Sequence, residues 1–178
     1  MLEQNLRQKL LEIARRSIEG YLEEGKAPAF AVTEAELLQD GAAFVTLTKG
    51  GRLRGCIGYT EATHPLYQTV ASCALSAAFS DPRFPPLRSE ELPQTEIEIS
   101  VLTPLQEIKE ISEIEVGRDG LFITNGSHRG LLLPQVAVEY GWDRETFLKQ
   151  TCLKAGLPPD AWKSGAEIFI FSAEIFHE

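Results

Sequence analysis

The stretch AFVTLTKGGRLRGCIGY, residues 43 to 59, constrains the fold more than any other part of the sequence. AFVTLT is rich in β-branched and aromatic residues, and Lys49, Gly50 and Gly51 supply a turn tight enough to send RLRGCIGY straight back along it. Such a pair is a β-hairpin, and a hairpin commits the chain to antiparallel pairing. The same stretch poses a chemical question, because it sets Gly55 and Gly58 around Cys56 and places Arg52 and Arg54 just before the thiol.

Elsewhere the pattern alternates helices with more antiparallel strands. Leu11, Ala14, Ile18 and Tyr21 with Leu22 recur at helical spacing from residue 3 to about 24, and Gly25 follows where a left-handed cap belongs. Thr33 with Glu36 has capping-box spacing and is expected to open one short helix before Gly41. Pro65 suits the first turn of a helix that carries Leu66, Val70, Cys73, Ala74 and Ala77 and ends near Ser80. DPRFPPL, 81 to 87, has three prolines in seven residues, so neither a helix nor a central strand runs through it. TEIEISVL, 95 to 102, alternates Ile97, Ile99 and Val101 against Glu96, Glu98 and Ser100, as a strand with one wet face does.

LFIT and GLLL flank NGSHR, which predicts a second hairpin with His128 in its turn. QVAVEYG and DRETFLKQTCLKAG read as two helical pieces, with Asp143 as the cap and Gly156 as the stop, and AEIFIFSAEIF, 166 to 176, reads as the last strand. Hairpins mixed with helices predict an α+β fold of mostly antiparallel sheet, in one sheet or two, flanked by helices. With 178 residues, 43% of them hydrophobic, the chain is long enough for one domain or two closely packed lobes.

Composition narrows the function. A formal net charge of -9 repels phosphate backbones, so nucleic-acid binding is disfavoured. No apolar run approaches the ~18 residues of a membrane span, and the charged N-terminal stretch lacks a signal peptide's apolar centre, so no membrane association and a cytoplasmic location are expected. Three cysteines far apart, Cys56, Cys73 and Cys152, fit reduced thiols rather than a disulfide framework or a zinc site. There is no phosphate loop, dinucleotide fingerprint, HExxH helix or CxxC pair, so no cofactor and no metal are expected.

Strict strand alternation puts Arg52, Arg54 and Cys56 on one face and Leu53 and Ile57 on the other. Two guanidiniums beside a thiol favour thiolate, the reactive form in nucleophilic and redox cysteines, and the glycines remove bulk on both sides so that a ligand can approach. The alternative is a small buried hydrophobe whose flanking glycines let another segment pack close. Of His64, His128 and His177, His128 is the best-placed base for Cys56, because a turn can present a side chain to a site. Asp81 and Arg83 suggest an ion pair preorganised by prolines, or else a helix-exit cap followed by a rigid connector. Cys73 and Cys152 fall at core positions of helices.

LRGCIG at 53 to 58, DPRFPPL at 81 to 87, EIEISVL at 96 to 102, GLLLPQVAVEYGWD at 130 to 143 and TCLKAGLP at 151 to 158 together resemble the AMMECR family over nearly the whole chain. The resemblance implies an α+β fold with a larger and a smaller lobe and a cleft between them. It also implies a place in the AmmeMemoRadiSam system, beside a Memo-type protein and a radical SAM protein.

Three functions follow from these readings. The first is an enzyme, or a component of an enzyme system, that uses Cys56 and His128 on a small anionic or carbonyl-bearing ligand held by Arg52, Arg54, Asp81 and Arg83, with Gly55 and Gly58 giving access. The second is a non-enzymatic scaffold or regulatory protein that docks a partner protein through the same face. The third and weakest is nucleic-acid binding through the Arg52 and Arg54 pair.

Overall fold

The computed structural model describes all 178 residues. In chain order the elements are α1 (Gln4–Glu24), α2 (Ala35–Leu38), β1 (Ala42–Lys49), β2 (Arg52–Tyr59), α3 (Leu66–Phe79), β3 (Thr95–Leu102), β4 (Gln106–Ile108), β5 (Gly120–Asn125), β6 (His128–Leu132), α4 (Pro134–Glu139), α5 (Arg144–Lys154), β7 (Glu167–Phe171) and β8 (Ala173–His177). They divide into two compact units, one of Met1–Leu102 with Glu174–Glu178 and one of Thr103–Ala173. The fold is α+β with two antiparallel sheets flanked by helices. No helix is long and apolar enough to cross a membrane.

The first unit is built on a sheet of order β2-β1-β3-β8. Its hairpin turns at Gly50 and Gly51 with φ of 57° and 72°, the two successive positive values that a twist-compatible two-residue turn needs. Ala43, Val45 and Leu47 of β1 sit opposite Val101, Ile99 and Ile97 of β3, so one face of the sheet is continuously apolar. Leu10, Ala14 and Ile18 of α1 and Val70, Cys73, Ala74 and Ala77 of α3 pack with that face in a single core. Gly25 closes α1 at φ 74°, with its amide on the Tyr21 carbonyl. The short helix α2 is not opened by Thr33. Glu34 occupies the cap position, and its carboxylate is drawn to Lys9 at 2.6 Å and to the Thr33 amide at 3.0 Å.

The second unit is built on a sheet of order β4-β7-β5-β6. Leu121, Ile123, Ile168 and Ile170 form the face that packs with Ala137 of α4 and Phe147, Leu148 and Cys152 of α5. Asp143 caps α5 by accepting the Thr146 amide at 2.8 Å, and Gly156 follows its end at φ 74°.

Two expectations are corrected here. The stretch 166 to 176 is not one strand, because it divides at Ser172 and its halves join different sheets. Thr103 and Ser172 hold that division, each amide bonding the other residue at 2.9 Å. His128 is not in a turn, since Gly126 and Ser127 make the turn alone and His128 opens β6 opposite Asn125.

Candidate functional site

Cys56 lies on β2 directly opposite Thr46 of β1, and the Thr46 hydroxyl is 3.3 Å from its sulfur. Of the three thiols it alone is not buried. Asp81, where the chain leaves α3, is enclosed to 2% side-chain exposure and organises the surroundings. Its carboxylate accepts the Cys56 amide at 2.9 Å and the Arg83 amide at 3.1 Å, and it is forked by Arg83 through Nε at 3.0 Å and Nη2 at 2.7 Å. Arg83 Nη2 also donates to the Cys56 carbonyl at 3.3 Å. One buried carboxylate therefore fixes both the backbone of the thiol and the guanidinium beside it.

Charge-assisted bonds of this kind hold Asp81 well below the usual carboxylate range, chiefly through its hydrogen bonds from Arg83. Arg83 is raised in turn by Asp81, and its side chain stays 54% exposed, so the charge faces outward while one edge is pinned. The prolines at 82, 85 and 86 restrict the segment that carries it, which limits the entropy lost in holding this arrangement.

Strict alternation fails in β2. Leu47 pairs with Gly55 while Thr48 pairs with Leu53, so Arg54 is an extra residue, a β-bulge. Arg54 therefore does not share a face with Cys56. Its guanidinium is buried and forks Glu91 at 3.1 and 3.0 Å, with Lys49 on the same carboxylate at 3.2 Å. Arg54 Nη1 is enclosed with no partner. Glu91 is drawn down to about 2, first by its hydrogen bonds from Arg54. The Phe84 ring lies 6.0 Å from the Arg54 guanidinium and 5.6 Å from that of Arg83, linking the two charged clusters by cation–π contact. Arg52, at the hairpin end opposite Lys49, is exposed.

The glycines serve the chain's own packing. A Cβ on Gly55 would lie 2.1 Å from the Ala77 carbonyl oxygen of α3, and one on Gly58 would lie 2.2 Å from the Phe44 ring. The space at Gly55 is thus filled by α3 backbone on the core face and that at Gly58 by an aromatic ring on the face of Cys56, which corrects the expectation that these glycines clear a path for a ligand.

A profile of the AMMECR1 family matches residues 11–176. The chain belongs to the AMMECR1 family. It is 47% identical to a protein of Methanothermobacter thermautotrophicus, over 95% of this chain and 92% of that one, and 47% identical to a protein of Thermococcus onnurineus, over 95% and 88%. The crystal structure of the protein PH0010 from Pyrococcus horikoshii superposes with a TM-score of 0.93 at 43% identity, covering 99% of this chain and 93% of that one.

Within this AMMECR1 fold the residues singled out in the sequence have separate fates. Cys56, Asp81 and Arg83 come together, with Gly55 and Gly58 packed around them. Arg54 and Arg52 are directed elsewhere. Every hydrogen-bond partner of Cys56 comes from the first unit, whereas His128 belongs to the second, exposed beside Gly156. Thr46 and Glu91 complete the two clusters and were not legible in advance. Thr46 could have been found only from the hairpin register, and Glu91 only from tertiary contact.

Cys73 and Cys152 are buried, as their helical spacing implied, and burial pushes Cys73 up to about 12 and raises Cys152. Titration of the native protein with an aromatic disulfide reagent is therefore expected to release one equivalent, from Cys56, and three in denaturant. A native count of zero or two sets that assignment aside.

Proposed function

We propose that this protein is a thiol-dependent enzyme, or a component of an enzyme system, that takes a small anionic or carbonyl-bearing substrate at Cys56. The observation that carries the reading is the Asp81 carboxylate, which locks the backbone of the partly exposed thiol and an outward-facing guanidinium into one spot. A rigid thiol beside an exposed, preorganised Arg is suited to hold a carboxylate, phosphate or carbonyl oxygen next to sulfur. Asp81 and Arg83 supply position and charge, and Cys56 supplies the reacting atom. Action beside a Memo-type and a radical SAM protein is part of the proposal, supported by the family membership, and co-purification with those two proteins tests it.

Charged thiol reagents test the site itself. The rate of Cys56 modification by anionic 2-sulfonatoethyl methanethiosulfonate, divided by that by neutral methyl methanethiosulfonate, reports the local field. Arg83→Gln is expected to lower this ratio about threefold at low salt, the size of effect an exposed charge exerts. Arg83→Lys should keep most of the ratio. An unchanged ratio in Arg83→Gln, or a Cys56 that resists both reagents, overturns the reading.

A second reading, a docking surface for a partner protein, is favoured by Leu53, an apolar group 43% exposed that pairs with Thr48 and so lies on the same face as Cys56. It predicts that Cys56→Ser leaves partner capture intact while Leu53→Asp abolishes it.

A further inference from the structure

The sheet face that carries Cys56 also carries a carboxylate. Thr46 of β1 sits opposite Cys56 on one side and opposite Glu98 of β3 on the other. Directly opposed residues in antiparallel strands project to the same face, so thiol, hydroxyl and carboxylate form a row across three strands. Two strand spacings, roughly 10 Å, separate the ends of that row. The Thr46 hydroxyl bridges toward the sulfur at 3.3 Å, and Arg83 reaches the Cys56 carbonyl at 3.3 Å.

Glu98 is half-buried and has no hydrogen-bond or ion-pair partner within the chain. Glu34, Glu91 and Glu174, also half-buried, each hold a Lys or Arg. A carboxylate partly withdrawn from water with no resident cation is stabilised by a cation from outside. The row thus has a guanidinium beside the thiol and, two strands away, a carboxylate with no ion-pair partner, beyond which β8 sets the exposed His177.

We propose that the ligand of this face is an extended zwitterion, its anionic group at Arg83 and an ammonium at Glu98, lying across Cys56 and Thr46. This rests on the reading of the Cys56 site given above and adds the class of molecule. The separation favours a short peptide or an ω-amino acid over an α-amino acid, whose two charges are adjacent. Thr46 is a positioning residue in the middle of the row, donating to the sulfur on one side and neighbouring Glu98 on the other.

The experiment uses the full chain and three methanethiosulfonates: cationic 2-(trimethylammonium)ethyl, anionic 2-sulfonatoethyl and neutral methyl. In each, the Cys56 sulfur attacks the sulfenyl sulfur after its proton passes to solvent. A disulfide forms, the sulfur–sulfonyl bond breaks, and methanesulfinate leaves with the electron pair. Glu98→Gln is expected to lower the cationic-to-neutral rate ratio about threefold and to leave the anionic-to-neutral ratio no lower, and Glu98→Asp should retain much of the effect. In the native protein 6-aminohexanoate is expected to protect Cys56 from the neutral reagent better than hexanoate or hexylammonium, with the advantage lost in Glu98→Gln. An unchanged cationic ratio in Glu98→Gln, or protection by hexanoate equal to that by 6-aminohexanoate, overturns the proposal. If instead Arg83→Gln leaves the anionic ratio unchanged, it is the underlying reading of the site that fails. Circular dichroism and thermal unfolding of each variant exclude loss of fold as the cause of any change.

Discussion

Gly55→Ala is expected to cost about 4 kcal/mol of stability or to prevent accumulation of folded protein. The added Cβ would meet the Ala77 carbonyl oxygen at 2.1 Å and its carbonyl carbon at 3.0 Å. These are main-chain atoms inside α3, which is held by its own hydrogen bonds and by a core that includes Val70, Cys73 and Ala74, so they have no rotamer into which to retreat. The strand cannot easily yield either, because Gly55 pairs with Leu47, a core residue of the central strand β1. Gly58→Ala provides the internal comparison. Its clash, at 2.2 Å, is with the Phe44 ring, a partly exposed side chain that can rotate away, and the expected cost is about 1 to 2 kcal/mol. Urea unfolding of both variants checks the order. A Gly55→Ala protein as stable as the parent, or less affected than Gly58→Ala, would show that α3 does not approach β2 as closely as described.

Asp81→Asn is the second large effect, about 2 to 3 kcal/mol at neutral pH. Its carboxylate faces donors only: the Cys56 amide, the Arg83 amide and two guanidinium nitrogens. An amide group in its place turns an NH2 toward some of them and leaves both sides unpaired. The figure is below the ~3–5 kcal/mol of a fully enclosed pair because solvent screens the half-exposed Arg83.

The pH dependence follows from the direction of the shift. Asp81 is lowered from its ordinary 3.8 by Arg83, so its contribution is fully present above 3.8 and is lost as pH falls further. Glu91 behaves alike between its ordinary 4.5 and about 2, on account of Arg54. The stability gap between parent and Asp81→Asn is therefore expected to be full at pH 7 and to shrink below pH 3.8, measured as urea midpoints with an unchanged slope. A gap that stays constant from pH 7 to pH 2, or one under 0.5 kcal/mol at pH 7, contradicts the role given to Asp81. Glu91→Gln should flatten part of the remaining acid sensitivity of the parent.

Local signals were legible in the sequence, and partner-dependent ones were not. The first helix, the Gly50–Gly51 hairpin and the strand at 95 to 102 follow from spacing, turn chemistry and alternation within a few residues, and the structure has them all. The polar run NGSHR hid a two-residue turn inside five turn-like residues, which cost His128 its proper place on a strand. The apolar run at 166 to 176 reads as one strand because nothing in its pattern reveals that its halves pair in different sheets. At the site, Asp81 and Arg83 could be paired from their spacing in a proline-held segment. Glu98 was visible only as one tooth of an alternating strand, since its relation to Cys56 runs through the register of β1 with both neighbours.

Arg54 was misplaced for a different reason, and that reason reaches beyond its own side chain. Counted outward from the Gly50–Gly51 turn, an unbulged hairpin would set Leu47 opposite Arg54 and Val45 opposite Cys56. Val45 is a core residue, so the thiol would be interior, as Cys73 is. The single extra residue moves everything after it by one place, and in a structure of period two one place means the other side. Which side Cys56 shows is thus a matter of parity, set by the number of paired positions between the turn and the cysteine and not by any preference of the cysteine itself. A one-residue deletion at Arg54 would therefore remove the bulge and leave Gly55 through Tyr59 opposite their present partners, with Cys56 still facing Thr46.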